Sequence, residues 1–81
     1  MRLDYSPHFI RSYNKAPREI QAAFDKQSAL LLHNLRHPSL RAKKYGEAGD
    51  LWQARVTGSW RFYFTMEGDT YLLHEINAHS K

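Results

Sequence analysis

The stretch Leu51-Trp-Gln-Ala-Arg-Val-Thr-Gly-Ser-Trp-Arg-Phe-Tyr-Phe64 decides the fold. Both arms are rich in aromatic and β-branched residues and alternate with a period of two, which predicts two strands folded back on each other about Thr57-Gly58-Ser59. Gly58 is read as the positive-φ residue that a tight hairpin turn calls for. On the first arm Trp52, Ala54 and Val56 point one way, and Gln53, Arg55 and Thr57 the other. On the second arm Trp60, Phe62 and Phe64 share a face opposite to Arg61 and Tyr63. One face of the ribbon is therefore core. The other gathers Gln53, Arg55, Arg61 and Tyr63, a set that can grip a phosphate and stack against or hydrogen-bond a base. The plainer reading of that face is a solvated sheet surface.

Working outward, the basic character of the hairpin continues upstream. The chain carries 12 Lys and Arg against 8 Asp and Glu, a net charge of +4. From Arg36 to Tyr63 there are six basic residues (Arg36, Arg41, Lys43, Lys44, Arg55, Arg61) and two acidic ones (Glu47, Asp50), so that stretch alone carries the whole excess. A basic centre points to an anionic partner, with nucleic acid the first candidate. Eighty-one residues are expected to form a single domain, 1–81, with a modest core. There are no cysteines, so disulfides and thiolate metal sites are excluded. No apolar run approaches the roughly 18–20 residues of a membrane span. The opening Met-Arg-Leu-Asp-Tyr has no signal-peptide core. A cytoplasmic protein with no membrane partner is expected.

The remaining elements follow from local signals. Met1 to Tyr5 predicts a short first strand. Ser6-Pro7 predicts a helix start, with Ser6 as the cap and Pro7 in the first turn. Phe9, Ile10 and Tyr13 give that helix an apolar side, and Asn14 to Pro17 ends it, with Pro17 opening the next. Ile20, Ala23, Phe24, Gln27, Leu30, Leu31 and Leu35 recur at spacings of three and four, predicting a helix from Arg18 to Leu35. Gln27 is the one polar residue in that stripe and is assigned to its edge. His37-Pro38 stops the helix. Pro38 to Asp50 shows no period and is read as a loop of 13 residues holding Leu40, Tyr45, Gly46 and Gly49. After the hairpin, Met66 to Asp69 predicts a turn with Gly68 at positive φ, and Thr70 to Ala78 a last strand. The order β-α-α-β-β-β predicts an α+β fold of two layers. An N-terminal strand and a helical hairpin pack on a mainly antiparallel four-stranded sheet, and the Arg55/Arg61/Tyr63 face is left at least partly open.

With these elements in order the chain resembles the RelE/ParE superfamily, the toxins of bacterial type II toxin–antitoxin systems. The resemblance spans nearly the whole length. It is carried by the loop His37-Pro-Ser-Leu-Arg-Ala-Lys-Lys-Tyr45, by the hairpin from Leu51 to Phe64, and by the end Ile76-Asn-Ala-His-Ser80. It implies a RelE-like fold and an antitoxin protein as partner. In its nuclease branch it implies metal-independent cleavage of mRNA in the A site of the 70S ribosome, inhibiting translation. On that correspondence Arg61, Arg55 and His79 take the catalytic positions, and Lys43, Lys44, Arg41, Gln53 and Tyr63 contact RNA or the ribosome. Gln53 stands where some members have another lysine, and no aromatic residue follows the last strand.

The chemistry suits those residue types. Attack of a ribose 2′-OH on the adjacent phosphate needs a base, cations on the non-bridging oxygens, and an acid for the departing 5′-oxygen. Arginine gives phosphate two parallel hydrogen bonds, and histidine exchanges protons near neutral pH. A structural alternative pairs Arg61 with Glu75 across the sheet. His33 and His37 are four apart but lack a third ligand, so no metal and no small-molecule cofactor are expected. Two other functions share the fold: a ParE-like gyrase inhibitor without nuclease activity, and a degenerate toxin that retains only antitoxin binding.

Overall fold

The computed structural model describes residues 1–45 and 50–79. The two loop glycines, Gly46 and Gly49, and the final Ser80 and Lys81 lie outside the described residues. The elements are β1 (Arg2–Tyr5), α1 (Pro7–Lys15), α2 (Arg18–His33), a 3-10 turn (Pro38–Leu40), β2 (Lys43–Lys44), β3 (Trp52–Thr57), β4 (Trp60–Glu67) and β5 (Thr70–Ala78). The strands form one sheet in the order β1-β5-β4-β3-β2. β1 runs parallel to β5, and every other pairing is antiparallel. Since β1 and β2 occupy opposite edges, the two helices carry the chain from one edge to the other across a single face. The result is the α+β, two-layer architecture expected from the order of elements.

The caps form as the local signals predict. The Ser6 hydroxyl accepts the Phe9 amide at 3.0 Å, with Pro7 in the first turn. α1 stops at Lys15, where the Ala16 amide turns back to the Tyr13 carbonyl, before Pro17. Pro17 opens α2 through its carbonyl, which accepts from Ile20 (2.9 Å) and Gln21 (3.0 Å). α2 ends at His33, two residues short of the predicted Leu35. The cause is Asn34, whose side-chain oxygen takes the Arg36 amide at 3.0 Å and offers the backbone an alternative to the helix.

The core lies between the helices and the face of the sheet that the alternation assigned. Phe9, Phe24 and Leu31 from the helices meet Ala54, Val56, Phe62, Phe64, Tyr71, Leu73 and Ile76 from the strands. Phe24 stands edge-on to Phe62, ring centroids 5.1 Å apart at 89°, and also touches Phe9 at 5.1 Å. Trp52 and Trp60 are half-buried and pack against this cluster. Each fully buried Phe or Leu contributes roughly 1.5–3 kcal/mol, so a small aromatic-rich cluster is enough for a chain of this size.

Four expectations are corrected. The segment from Pro38 onward is not a plain loop: Leu40 is fully buried, which folds Pro38–Leu40 into a 3-10 turn, and Lys43 and Lys44 pair with Gln53 and Trp52 as a fifth strand. The sheet thus has five strands rather than four. A two-residue edge strand of lysines leaves no period to read, and it guards the sheet edge against further pairing. Gly58 does not adopt positive φ, although Gly68 does, at 61°. The connection needs no left-handed residue because β3 bulges between Arg55 and Thr57, which adds the twist a mirror-image turn would otherwise provide. The Thr57 hydroxyl also takes the Ser59 amide at 3.2 Å. Finally, Gln27 is not at the edge of its stripe but only 6% exposed. Its amide donates to the Ser39 carbonyl (3.1 Å) and the Arg55 carbonyl (2.9 Å), tying α2 to the 3-10 turn and to the bulge.

Candidate functional site

The sheet's outer face carries a concavity of about 320 Å³ lined by Arg41, Lys43, Gln53, Ala54, Arg55, Arg61 and His79. Five separate segments deliver these groups. Lys43 comes from β2, Gln53 and Arg55 from β3, and Arg61 from β4. Arg41 caps the 3-10 turn and His79 follows β5. Register brings them together: Lys43 is opposite Gln53, and Arg55 is opposite Arg61. The His79 amide donates to the Ser59 carbonyl at 2.6 Å, which holds the chain end beside the β3–β4 turn. Of the eight residues expected at the site, Arg41, Lys43, Gln53, Arg55, Arg61 and His79 line it. Lys44 and Tyr63 do not; Tyr63 lies beside it, two residues along β4 from Arg61.

The electrostatics are one-sided. Among the described residues no carboxylate lines the concavity, and the one salt-bridge contact is His8 with Glu75, at 2.6 Å, an ion pair when His8 is protonated. That pair excludes the structural alternative for Arg61, whose cross-strand neighbour is Asn77. Like charges directly opposed across strands, as Arg55 and Arg61 are, oppose folding. Arg61 is held in place by the turn: its Nη1 donates to the carbonyls of Thr57 (2.7 Å), Trp60 (2.9 Å) and Gly58 (3.3 Å). Arg55 differs, because its Nε is buried without a hydrogen-bond partner among the described residues. Buried donors are nearly always satisfied, so this Nε stands out among the described residues as a donor that an incoming acceptor could use.

The sequence places Arg41 in the basic loop, and the resemblance puts it among the residues that contact RNA or the ribosome. The structure adds that it sits in the left-handed region, φ 46°, ψ 43°, the one described non-glycine residue at positive φ. Such a conformation costs roughly 1–2 kcal/mol, and residues held there cluster at functional sites. His37 caps the same turn through Nδ1, which accepts the Ser39 amide at 3.2 Å. Gln53 is buried between Lys43 and Tyr63, so it shapes the floor. Burial raises the Tyr63 pKa, as does Tyr45, while Gln53 and Arg61 pull it down less strongly. Its phenol thus stays protonated at neutral pH. Two residues that sequence reasoning left out support the site: Gln27 from beneath, and Tyr45, whose ring meets that of Tyr63 at 5.5 Å and 71°. A lone Gln in an apolar stripe was the available signal for the first; the second lay hidden in an aperiodic segment.

A second concavity, about 270 Å³, lies among Tyr5, Phe9, Ile10, Tyr13, Phe24 and Asp25. It is aromatic and aliphatic, and its one carboxylate accepts from the Tyr13 hydroxyl at 3.0 Å. It offers none of the cations or imidazoles that phosphoryl chemistry uses. Among the described residues no three His, Cys, Asp or Glu side chains come together to hold a metal ion, and no helix is long and apolar enough to cross a membrane.

No protein-family model and no curated protein sequence matches the chain. Solved structures do. The YoeB dimer from Staphylococcus aureus superposes with a TM-score of 0.81 at 10% identity, over 99% of this chain and 98% of that one. The YoeB/ParE toxin from Agrobacterium tumefaciens gives 0.80 at 12% identity, over 99% of this chain and 100% of that one. The RelB–RelE antitoxin–toxin complex from Methanococcus jannaschii gives 0.78 at 16% identity, over 93% of this chain and 88% of that one. Across sequences this divergent, what is shared is the backbone: the chain has the RelE-like fold of the RelE/ParE toxins, as its resemblance to that superfamily implied.

Proposed function

We propose that this chain is a single RelE-like toxin domain that works in the cytoplasm as a ribosome-dependent, metal-independent endoribonuclease. It would cleave mRNA in the ribosomal A site until an antitoxin protein neutralises it. One observation carries the reading: Arg41, Lys43, Arg55, Arg61 and His79 converge on one concavity that, among the described residues, no carboxylate lines and where no acceptor meets the buried Nε of Arg55. That arrangement is suited to a phosphodiester, and it stands on a fold shared with structures described as toxins. An antitoxin partner is supported by the RelB–RelE complex among those structures.

In this reading the ribose 2′-oxygen bonds to phosphorus as the P–O5′ bond breaks. The products are a 2′,3′-cyclic phosphate and a 5′-hydroxyl end. The phosphorane in between carries extra negative charge on its non-bridging oxygens. Arg61, braced against the turn carbonyls, and Arg55, with its free donor, stabilise that charge. Being fixed before the substrate arrives, Arg61 needs little reorganisation at the moment of reaction. His79 is the one imidazole lining the site and exchanges a proton with either the 2′-OH or the 5′-oxygen. The other proton transfer falls to water or to the ribosome, which accords with ribosome dependence. Lys43, Lys44 and Arg41 hold flanking phosphates.

The test is primer extension on a message in a translating extract, with the native protein and with Arg61→Ala and His79→Ala. Cuts at A-site codons that vanish in both variants are expected. An intact message beside arrested growth would overturn the nuclease reading in favour of gyrase inhibition. An intact message and normal growth would leave a degenerate toxin that only binds its antitoxin.

A further inference from the structure

The outer face of the sheet is ordered in rows. One row across β3 and β4 is Arg55–Arg61. The next, two residues along, is Lys43–Gln53–Tyr63 across β2, β3 and β4. Tyr45 continues β2 beyond Lys44, with its amide donating to the Leu51 carbonyl at 2.7 Å. Alternation puts it on the side of Lys43. From there its ring meets the ring of Tyr63 edge to face, at 5.5 Å and 71°. Tyr63 is half-buried, yet Tyr45 is 53% exposed. A large aromatic ring is thus propped at a fixed angle by a second ring, with much of its surface in water. Two residues of strand, about 7 Å, separate the Tyr63 row from the guanidinium row. Tyr45 belongs to the row beyond that of Tyr63, opposite Leu51, and leans its ring back onto Tyr63, so the platform stands one step further from the guanidiniums than Tyr63 does.

We infer that Tyr45, braced by Tyr63, is the stacking platform for an unpaired RNA base near the phosphate held among Arg41, Arg55 and Arg61. The inference rests on the RNA-binding reading above and adds the residue that takes the base. Stacking is tolerant of base identity because every base offers a π-face, so the platform gives affinity and register rather than sequence choice. The protonated Tyr63 phenol adds no negative charge that would repel the strand. Lys43, two residues before Tyr45 and on the same side of β2, holds the backbone beside the platform.

The experiment uses two short 2′-O-methyl oligoribonucleotides of equal length, which cannot be cut at the 2′-oxygen. One carries bases, with 2-aminopurine at a central position, and the other is abasic at that position. Binding is measured at fixed, low salt for the native protein, Tyr45→Phe, Tyr45→Ala and Arg61→Ala. The native protein is expected to quench 2-aminopurine and to prefer the base-bearing strand by about five- to tenfold or more. Tyr45→Phe keeps both properties. Tyr45→Ala loses both yet binds the abasic strand as the native protein does. Unchanged quenching and preference in Tyr45→Ala would overturn the platform while leaving the phosphate site standing, provided Arg61→Ala weakens both strands. If neither strand binds, or Arg61→Ala binds both unchanged, the platform falls together with the RNA reading beneath it.

Discussion

Replacing Gln27 with leucine tests whether the helical layer sets the geometry of the concavity. Leucine matches the apolar stripe and roughly fills the same space, so pattern alone predicts a neutral or stabilising change. The structure predicts the opposite. Gln27 donates two bonds from a site only 6% exposed, to the carbonyls of Ser39 and Arg55. Each bond is worth about 1 kcal/mol net, and a buried carbonyl left without its donor costs about 1–3 kcal/mol. Leucine returns about 1–2 kcal/mol through burial. The balance is a loss of about 2–3 kcal/mol, or a drop in Tm of roughly 10–20 °C for a domain of this size. Thermal and urea melts measure it, with an unchanged urea slope showing that only stability moved. A Gln27→Leu protein that melts at or above the native temperature would refute the reasoning.

Three further outcomes follow from local geometry. Because Arg41 is left-handed at φ 46°, Arg41→Gly should be more stable than Arg41→Ala by about 1 kcal/mol in urea melts, while both lose the same cation. Burial alone would raise the Glu75 pKa, but hydrogen bonds from His8, Ser12 and the Ile76 amide together hold it below its ordinary 4.5. Its stabilising effect is therefore complete above that value and lost as pH falls through the lowered pKa, so acid melts of His8→Ala should show a weaker dependence over that range. Burial raises the Tyr71 pKa above 10.0, so its neutral form stabilises the fold below pH 10 and the effect is lost as pH rises through the raised pKa. Alkaline melts of Tyr71→Phe should fall less steeply than those of the native protein.

The sheet and helices were legible because each carries a signal of its own. The alternation from Trp52 to Phe64 assigns the core face of β3 and β4, and Ser6-Pro7 marks the start of α1. Thr70 to Ala78 forms β5 over the length predicted. What escaped was set by contacts distant in sequence. Leu40 turns the supposed loop inward, and pairing with Gln53 and Trp52 makes a strand of two lysines that no local pattern announces. The helix end at Asn34 and the bulge in β3 depend on side-chain bonds and twist, which periodicity does not register. For the candidate site, the sequence offered residue types without placement. It could list Arg41, Lys43, Arg55, Arg61 and His79, but only the sheet register and the 3-10 turn bring them to one concavity.

That concavity is also where the fold departs most from what stability alone would choose. Arg55 and Arg61 face each other, and among the described residues no carboxylate lines the concavity. The Nε of Arg55 is buried without an acceptor among the described residues, and Arg41 sits in a conformation that a glycine would adopt without strain. Each feature opposes folding by an amount comparable to the worth of a hydrogen bond. Each is local, and all three adjoin the same space. An anion in that space would screen the two guanidiniums, accept from the buried Nε and draw on Arg41 at once. Elsewhere the local choices agree with one another: Ser6 caps its helix, Gln27 satisfies two carbonyls, and Glu75 has His8. Local rules that fail together at one place and hold around it are the pattern expected of a binding site, and that pattern supports the anion site proposed above.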